Sequence, residues 1–368
     1  MKPIVQTCLT LFFLSLSHHH ASRIDLRYAK GFQVSYSGDI KIVTVGNLRD
    51  PSEKPHSYIL VPKDSGPLPP LPSGQVVRTP IRRAGSLSTT HLSHFVDLGL
   101  RRRLKAFSKL EYIQSPQLRE MVEMGNIVAT GFGMDEIREV GMKNELELIL
   151  GFGPGEPETR FRSLVLSGIP VALNREYMEP HPLGYAEWIK FTALFFHQEA
   201  LAERVFSTME KKYLGWVKEA KNCTLHPKVL LNALHSGTWY LPGGNTYWPN
   251  LIKDAGGTYV LQKNNSTQGS LPYTFDEVYA LGSDARFWLN SEGFSCSELA
   301  QKDKRYARFN SFKNKNVFNR NKKQSQGLPD DYYENGLSHP DVLLKDLVAI
   351  FHPEIRNREK LIWYRKVE

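Results

Sequence analysis

The chain has 368 residues, of which 41% are hydrophobic and 23% charged, and it carries a formal net charge of +9. The length suits two domains of ordinary size, and the composition is that of a folded soluble protein. Because only the N-terminus carries an apolar run of any length, the sequence excludes a chain with several membrane spans.

The N-terminus predicts export. A basic residue precedes an apolar run at residues 8–16, which is too short for an ordinary transmembrane helix, and a small pair beginning at Ala21 follows. We assign residues 1–21 to a secretory signal peptide; an N-terminal anchor and a wrongly assigned start are the alternatives. Cys8 lies ahead of the apolar core, so no lipid anchor is evident. We expect a periplasmic or cell-envelope protein.

Residues 22–181 predict an N-terminal α/β lobe that begins with a small antiparallel β element. Three segments alternate at the strand period, at 32–36, 40–45 and 57–61. A stiff, proline-rich connector at 67–72 follows them. From Val76 onward strands alternate with helices, including one that Asp135 is expected to cap, which predicts a mostly parallel sheet with covering helices.

Residues 182–221 predict a helical spine between two lobes. Apolar residues recur there at roughly helical spacing, and no proline interrupts the stretch between Pro182 and Pro227. One continuous helix would be about 58 Å long at 1.5 Å per residue, longer than a typical globular helix. We therefore expect a break at residues 196–198 and a second helix that ends at Lys221.

Residues 222–368 predict a C-terminal α/β lobe. Strand-like segments occur at 228–234, 285–289 and 317–318, and helical ones at 247–255, 274–279 and 342–351. The predicted fold class is therefore α/β, with two lobes joined by a helical spine.

The most informative cluster for function is the segment 236–245, which directly follows a predicted strand. Ligands of open α/β sheets bind outside the carboxyl ends of the strands, and Trp239 and Tyr240 offer large flat surfaces with polar tips. Because neighbouring side chains of a strand face opposite ways, we expect one of the two to pack under the lobe. The predicted ligand-binding residues of this lobe are Trp239, Tyr240, Asn245, Ser270 and Leu271.

Four residues of the first lobe are candidates for the same cleft. Ser88 and Thr89 follow a strand and open a helix, whose N-terminus presents free amide donors. His91 lies beside them and is a candidate contact to ligand or metal, although a lone histidine is more often structural. Phe132, between two glycines after another strand, is the fourth candidate.

Catalytic signatures are absent from the sequence. It contains no Gly-x-Ser-x-Gly elbow, no phosphate loop and no His-Glu-x-x-His motif. Residues 151–155 resemble a Rossmann glycine loop but lack its second half, and Pro154 disfavours a standard helix start. Glu176 and Glu179 lie in a connector with nothing to mark them as a glycosidase pair. We expect no enzyme and no cofactor.

The two cysteines outside the predicted signal peptide do not define a site. Cys223 and Cys296 lie far apart, so their positions neither specify a disulfide nor show the paired spacing of a zinc site. Whether they pair stays open.

Much of the positive charge lies between Lys302 and Lys323, where only Asp303 opposes it. Nucleic-acid binding is one interpretation, and a solvated face is the commoner one. Because an exported protein meets little nucleic acid, we expect no nucleic-acid partner. An anionic ligand or lipid surface stays open.

Six motifs together carry a family resemblance. They are residues 28–32 (YAKGF), 58–62 (YILVP), 177–188 (YMEPHPLGYAEW), 239–244 (WYLPGG), 269–272 (GSLP) and 339–347 (HPDVLLKDL). In these motifs the chain resembles the substrate-binding proteins of ABC transporters for iron-siderophores and cobalamin, the class III periplasmic binding proteins, in the form typical of Bacteroidetes. The similarity covers the whole chain after the signal peptide.

The resemblance implies two Rossmann-like lobes joined by a rigid helix, with a ligand in the cleft between them. It also implies docking on a permease through surface carboxylates, for which Glu179 in the matching connector is the candidate. The implied partners are a small-molecule metal chelate, an ABC permease and its ATPase, and we expect a monomer.

Three departures from the family pattern put the ligand in doubt: the anchoring cysteine is missing, residues 110–112 replace Pro-Arg-Tyr, and residues 144–147 replace a Lys-Pro-Asp turn. The leading hypothesis is a binding protein for a ferric siderophore, haem-like or cobalamin-like chelate, since no His/Cys/Asp cluster suggests a bare metal. A surface or scaffold protein with a degenerate cleft is the alternative. An unrecognised enzyme is the third.

Overall fold

The structure, a computed structural model, describes residues 23–66, 70–153, 157–324, 330–356 and 360–368. The predicted signal peptide, residues 67–69 of the connector, and Pro154 with Gly155 of the glycine loop lie outside the described residues. Within the described ranges, no helix has both the length and the apolar character that crossing a bilayer requires.

The N-terminal β element is a sheet of four strands in the order β1-β2-β3-β4. Its strands are β1 Phe32–Ser37, β2 Ile40–Val45, β3 His56–Pro62 and β4 Gln75–Thr79. The first three pair antiparallel, as predicted. The fourth pairs parallel with β3, so the element is one strand larger than the prediction.

The N-terminal lobe is a five-stranded parallel sheet in the order β7-β6-β5-β8-β9. Its strands are β5 Ala84–Ser86, β6 Leu104–Phe107, β7 Val128–Ala129, β8 Leu148–Gly151 and β9 Val171–Leu173. Its helices are α1 Leu92–Asp97, α2 Pro116–Glu123, α3 Met134–Lys143, α4 Pro157–Arg160 and α5 Arg162–Leu166. The predicted strand–helix alternation is confirmed. The predicted cap of α3 is wrong, because Gly133 precedes the helix and Asp135 lies in its first turn, where it complements the helix dipole.

The helical spine consists of α6 Pro182–Glu187, α7 Ile189–Phe196 and α8 Glu199–Lys221. The predicted break is confirmed at His197, whose φ of 57° is left-handed and ends α7. Every residue of α7 is buried, which is typical of a core helix. The spine also binds α1, since His94 Nδ1 lies 2.8 Å from Thr192 Oγ1. Burial lowers the pKa of His94 to about 4, so this histidine is neutral.

The C-terminal lobe contains a five-stranded sheet in the order β13-β10-β15-β16-β17. The strands of this lobe are β10 Lys228–Leu231, β11 Leu234–His235, β12 Thr238–Leu241, β13 Thr258–Tyr259, β14 Leu271–Tyr273, β15 Phe287–Leu289, β16 Val317–Asn319 and β17 Arg365–Lys366. Its helices are α9 Tyr247–Asp254, α10 Phe275–Gly282, α11 Cys296–Lys302, α12 Asn310–Lys313, α13 Pro340–Phe351 and α14 Pro353–Arg356. The sheet is parallel except for β17, so the second α/β lobe is confirmed.

A small antiparallel sheet, β11-β12-β14, lies beside the main sheet of the C-terminal lobe. The segment 236–245, which the sequence predicts as a loop, contains its central strand, β12. Cys223 and Cys296 are both free, so they do not form a disulfide. The exact boundaries of the lobes and the spine stay predictions.

Candidate ligand-binding site

A cavity of about 280 Å³ lies between the two lobes. It sits outside the carboxyl end of β9, where ligands of open α/β sheets bind. The N-terminal part of the chain contributes Arg49, Tyr177, Met178, Glu179 and Tyr185, and the C-terminal lobe contributes Pro242, Thr246, Tyr247, Trp248, Thr267, Gly269 and Leu337. None of the nine ligand-binding residues predicted from the sequence lines this cavity.

Arg49 is the central cation of the inter-lobe cavity. It lies in the loop between β2 and β3, and its Nη2 donates a hydrogen bond to the Tyr177 carbonyl at 3.0 Å. Its guanidinium carbon lies 5.4 Å from the centre of the Tyr177 ring. A methyl group added at Gly269 would come within 3.1 Å of the Arg49 guanidinium, so Arg49 also lies against Gly269 of the C-terminal lobe. Burial lowers the pKa of Arg49, but a guanidinium stays protonated at any physiological pH.

Four lining residues have a buried polar side-chain atom without a hydrogen-bond partner in the described part of the chain: Arg49 Nε, Tyr177 Oη, Glu179 Oε2 and Tyr185 Oη. Burial raises the pKa of Tyr177, against the lowering effect of Arg175 and Arg49, so its hydroxyl stays protonated and can donate. An unpaired buried polar group costs about 1–3 kcal/mol. The Arg49 and Tyr177 donors therefore fit an anionic ligand oxygen.

The cavity is also lined by aromatic rings from both lobes. Tyr185 and Tyr247 meet edge to face with ring centres 5.4 Å apart, and Trp248 stacks on Tyr332 at 5.9 Å. The Tyr247 hydroxyl donates to the Leu337 carbonyl at 3.1 Å, which fixes the ring. Aromatic faces beside a few polar groups are typical of small-molecule sites.

Trp239 and Tyr240 face opposite ways on β12, which confirms the predicted alternation. Tyr240 is 41% exposed, and Trp239 is fully buried between Trp288 and Tyr306. The Trp239 indole Nε1 donates to the Leu231 carbonyl at 2.9 Å. The Trp239 ring is part of the core, and its contact with a ligand stays a prediction. Tyr240 does not line the inter-lobe cavity.

Asn245, Ser270 and Leu271 border the cavity without lining it. The Asn245 N–H donates to the Ser266 carbonyl at 3.0 Å, and Leu271 pairs with Leu241 in the small sheet. Asn245 and Ser270 are exposed next to lining residues. Their contact with a ligand stays a prediction.

The segment 88–91 is covered by the C-terminal lobe. Ser338 Oγ donates to the Thr90 carbonyl at 3.4 Å, and the Glu334 carboxylate accepts the backbone N–H groups of Gln114 and Ser115. Ser88 caps the short helix through the Thr90 N–H, as predicted, and Thr89 stays partly exposed. Neither lines the inter-lobe cavity, so their ligand role stays a prediction.

His91 belongs to a buried polar cluster. Its Nδ1 lies 3.2 Å from Ser86 Oγ, and its Nε2 lies 3.7 Å from Glu176 Oε1. Burial alone would raise the pKa of Glu176, but the nearby His91 lowers it. These three residue types also occur in hydrolases, yet the three side chains are at most 1% exposed, which leaves a substrate no access. Contact of His91 with a ligand stays a prediction.

Phe132 is exposed at the edge of the first lobe. Its ring is 55% exposed, and the Lys109 ammonium lies 5.4 Å from the ring centre. It does not line the inter-lobe cavity, so its role stays a prediction.

Glu179 is held inside the protein. Its carboxylate is 2% exposed, and Oε1 accepts the N–H groups of Lys30 and Gly31 and the Trp188 indole N–H at 2.8–3.0 Å. A side chain at Gly31 would lie 2.7 Å from the Trp188 ring, so this contact needs glycine. Glu179 also lines the inter-lobe cavity, and its docking to a permease stays a prediction.

The basic segment between Lys302 and Lys323 has internal partners. Arg305 pairs with Asp303 at 2.7 Å, and Arg308 lies over the Tyr279 ring at 4.1 Å. Arg320 packs over Tyr332. Much of the positive charge in this segment is thus engaged in contacts within the C-terminal lobe.

The sequence does not single out six of the lining residues: Arg49, Thr246, Tyr247, Trp248, Thr267 and Leu337. Arg49 is a lone arginine in a loop more than 100 residues before its partner Tyr177. Tyr247 and Trp248 open α9 directly after the aromatic and glycine cluster, and that position is the one available signal.

No protein-family profile matches the chain. An uncharacterized lipoprotein of Methanocaldococcus jannaschii is 30% identical over 203 residues, which is 54% of this chain and 46% of that protein. A second protein of that organism is 25% identical over 51% of this chain and 56% of its own length, so the chain spans about half the length of these two relatives. Another lipoprotein is 22% identical over 93% of this chain and 87% of its own length.

Solved structures share the two-lobed architecture. A periplasmic binding protein from Veillonella parvula has a TM-score of 0.59, with 12% identity, and covers 88% of this chain and 98% of its own. A periplasmic haem-binding protein from Pseudomonas aeruginosa has a TM-score of 0.58, with 14% identity, over 78% of this chain and 98% of its own. The fold is that of a class III periplasmic binding protein. At this identity the likeness shows the fold alone.

Proposed function

We propose that this protein is the solute-binding component of an ABC importer and captures an anionic metal chelate in the inter-lobe cavity. The observation that carries the proposal is the pair of buried donors, Arg49 Nε and Tyr177 Oη, which have no hydrogen-bond partner among the described residues and lie in a cavity lined by aromatic rings. Ferric siderophores and haem-like ligands combine anionic oxygens with flat conjugated surfaces, which match these two features.

The volume of the inter-lobe cavity allows the candidate ligands to be ranked by their size. About 280 Å³ is at the lower end of the range for ligand pockets, roughly 300–1,000 Å³. A chelate must therefore protrude from the cavity or bind with the lobes further apart. A cobalamin-like ligand is the bulkiest candidate, so we place it behind ferric siderophores and haem-like ligands.

In the same proposal, the protein delivers the chelate to a permease and its ATPase. It acts as a monomer without enzymatic activity, in the periplasm or cell envelope. Two curated relatives are called lipoproteins, and several structures with this fold are called periplasmic haem- or iron-binding proteins. The two lipoproteins come from Methanocaldococcus jannaschii, and the Bacteroidetes form stays a prediction.

One observation favours a scaffold protein as the second candidate. Ser338 covers the predicted ligand segment at Thr90, and His91 beneath it is fully buried. A cleft that the chain itself fills in this way fits a protein that has lost its ligand.

The decisive experiment is a binding screen on the chain without residues 1–21. Trp248 lines the inter-lobe cavity, so its fluorescence reports on occupancy. We expect quenching with micromolar or tighter affinity for one class among ferric siderophores, haem and cobalamin, and loss of that signal in Trp248→Phe. Flat titrations of a folded protein against all three classes would overturn the transport proposal and favour the scaffold.

A further inference from the structure

Three metal-ligating side chains meet at the end of the C-terminal lobe that faces away from the cavity. The Cys223 thiol, the His352 imidazole and the Glu354 carboxylate place one ligand atom each within 4.8 Å of one another. His352 Nδ1 and Glu354 Oε1 are 3.6 Å apart. The cavity lies at the N-terminus of α9 and this cluster lies beside its C-terminus, so about 12 Å of helix separates the two.

The hydrogen bonding of His352 leaves one ring nitrogen free for a ligand. Nε2 lies 3.0 Å from the Ala255 carbonyl, so Nε2 carries the proton and donates it. Nδ1 then keeps its lone pair, in a side chain that is 0% exposed, and no described residue forms a hydrogen bond with it. A histidine oriented by a backbone carbonyl through its second nitrogen is the usual arrangement of a metal ligand.

The backbone around the cluster favours a cation. Cys223 follows the C-cap of α8, His352 is the C-cap of α13, and Ala255 is the C-cap of α9. Each helix C-terminus carries a partial negative charge from its free carbonyl groups. Three of them converge here, and the Glu354 carboxylate adds a full negative charge.

We propose that Cys223, His352 and Glu354 bind a single Zn²⁺ ion that fastens the end of α13 to the spine. One thiolate, one imidazole and one carboxylate form a ligand set that suits Zn²⁺, and a water molecule completes the tetrahedron. The ligand atoms must approach one another by about 1 Å to meet zinc bond lengths of roughly 2.0–2.3 Å. Glu354, which is 54% exposed, has the freedom to do so.

Cobalt substitution tests this site without reference to the inter-lobe cavity. The protein without residues 1–21 is treated with a chelator and titrated with Co²⁺, whose thiolate complexes give an intense charge-transfer band. We expect the band to saturate at one ion per chain and to disappear on addition of Zn²⁺. We also expect Zn²⁺ to raise the melting temperature, because it binds the folded state.

Cys223→Ser should abolish the cobalt band and the rise in melting temperature. Cys296→Ser is the matched control, because it removes the other free thiol of the described chain and should change neither. Glu354→Gln should weaken Zn²⁺ binding about tenfold while the fold stays intact, since its side chain is exposed. A folded protein without a thiolate band, or a band that survives Cys223→Ser, would overturn the proposal. Chelate binding in the inter-lobe cavity should be equal in both cysteine variants, so the two proposals fail separately.

Discussion

The motif at residues 177–188 contributes to two neighbouring regions of the protein. They differ in whether their buried polar groups have hydrogen-bond partners. One region is the N-terminal clasp, in which Glu187 holds residues 27–29. The carboxylate accepts the N–H groups of Arg27, Tyr28 and Ala29 at 2.7–3.1 Å and the Lys190 ammonium at 2.9 Å. The other region is the inter-lobe cavity, where Arg49 Nε and Tyr177 Oη form no hydrogen bond with any residue that the structure describes.

Within this one motif, the difference distinguishes residues that stabilise the fold from residues that fit a ligand. Buried polar groups are almost always satisfied, so the full partner set of Glu187 identifies the clasp as part of the fold. A buried donor without a partner costs free energy, and a ligand can remove that cost.

The largest effect should come from the clasp. Glu187→Gln removes the charge that three backbone N–H groups and buried Lys190 require, and we expect the free energy of unfolding to fall by about 3 kcal/mol. Urea denaturation measures this change. Glu123→Gln, at an exposed site on α2, is the control and should stay within about 0.5 kcal/mol. Equal stability of the two variants would show that the clasp is not structural.

The second effect concerns Glu334, which joins the lobes by accepting the N–H groups of Gln114 and Ser115. Burial raises its pKa to about 7, with a further increase from Asp331, while those N–H groups and Arg119 oppose the rise. The folded state therefore favours the protonated acid. Its contribution to stability is present below the unfolded pKa of about 4.5 and is lost as the pH rises through 7.

Glu334→Gln should remove this pH dependence. The difference in unfolding free energy between variant and wild type should grow by about 2–3 kcal/mol from pH 5 to pH 8, in favour of the variant. Denaturation across that range measures it. A constant difference would mean that Glu334 is ionised in both states.

A smaller effect distinguishes the cavity from the clasp. Tyr177→Phe removes an unpartnered hydroxyl, so we expect unchanged or slightly higher stability but about tenfold weaker binding of the chelate, or roughly 1.4 kcal/mol. Tyr240→Phe, on the exposed face of β12, is the matched control and should alter neither quantity. A stability loss above 1 kcal/mol in Tyr177→Phe would show that its hydroxyl has a structural partner.

The features of the fold that could be predicted from the sequence are those that depend on the pattern of neighbouring residues. The alternation of strands and helices, the break at His197 and the opposite orientations of Trp239 and Tyr240 all follow from spacing along a few residues. The small sheet is missed because β12 has only four residues, lies between glycines, and pairs with β14 about 30 residues later. Arg49 is missed for the same reason, since only the folded chain places it against Tyr177.

The central claim is that ligand binds at the inter-lobe cavity rather than at the segment 88–91. Titration of Arg49→Gln, Ser88→Ala and the surface control Arg308→Gln with the chelate that the screen identifies tests it most directly. We predict at least tenfold weaker binding for Arg49→Gln and wild-type affinity for the other two. Wild-type affinity in Arg49→Gln together with a clear loss in Ser88→Ala would contradict the account.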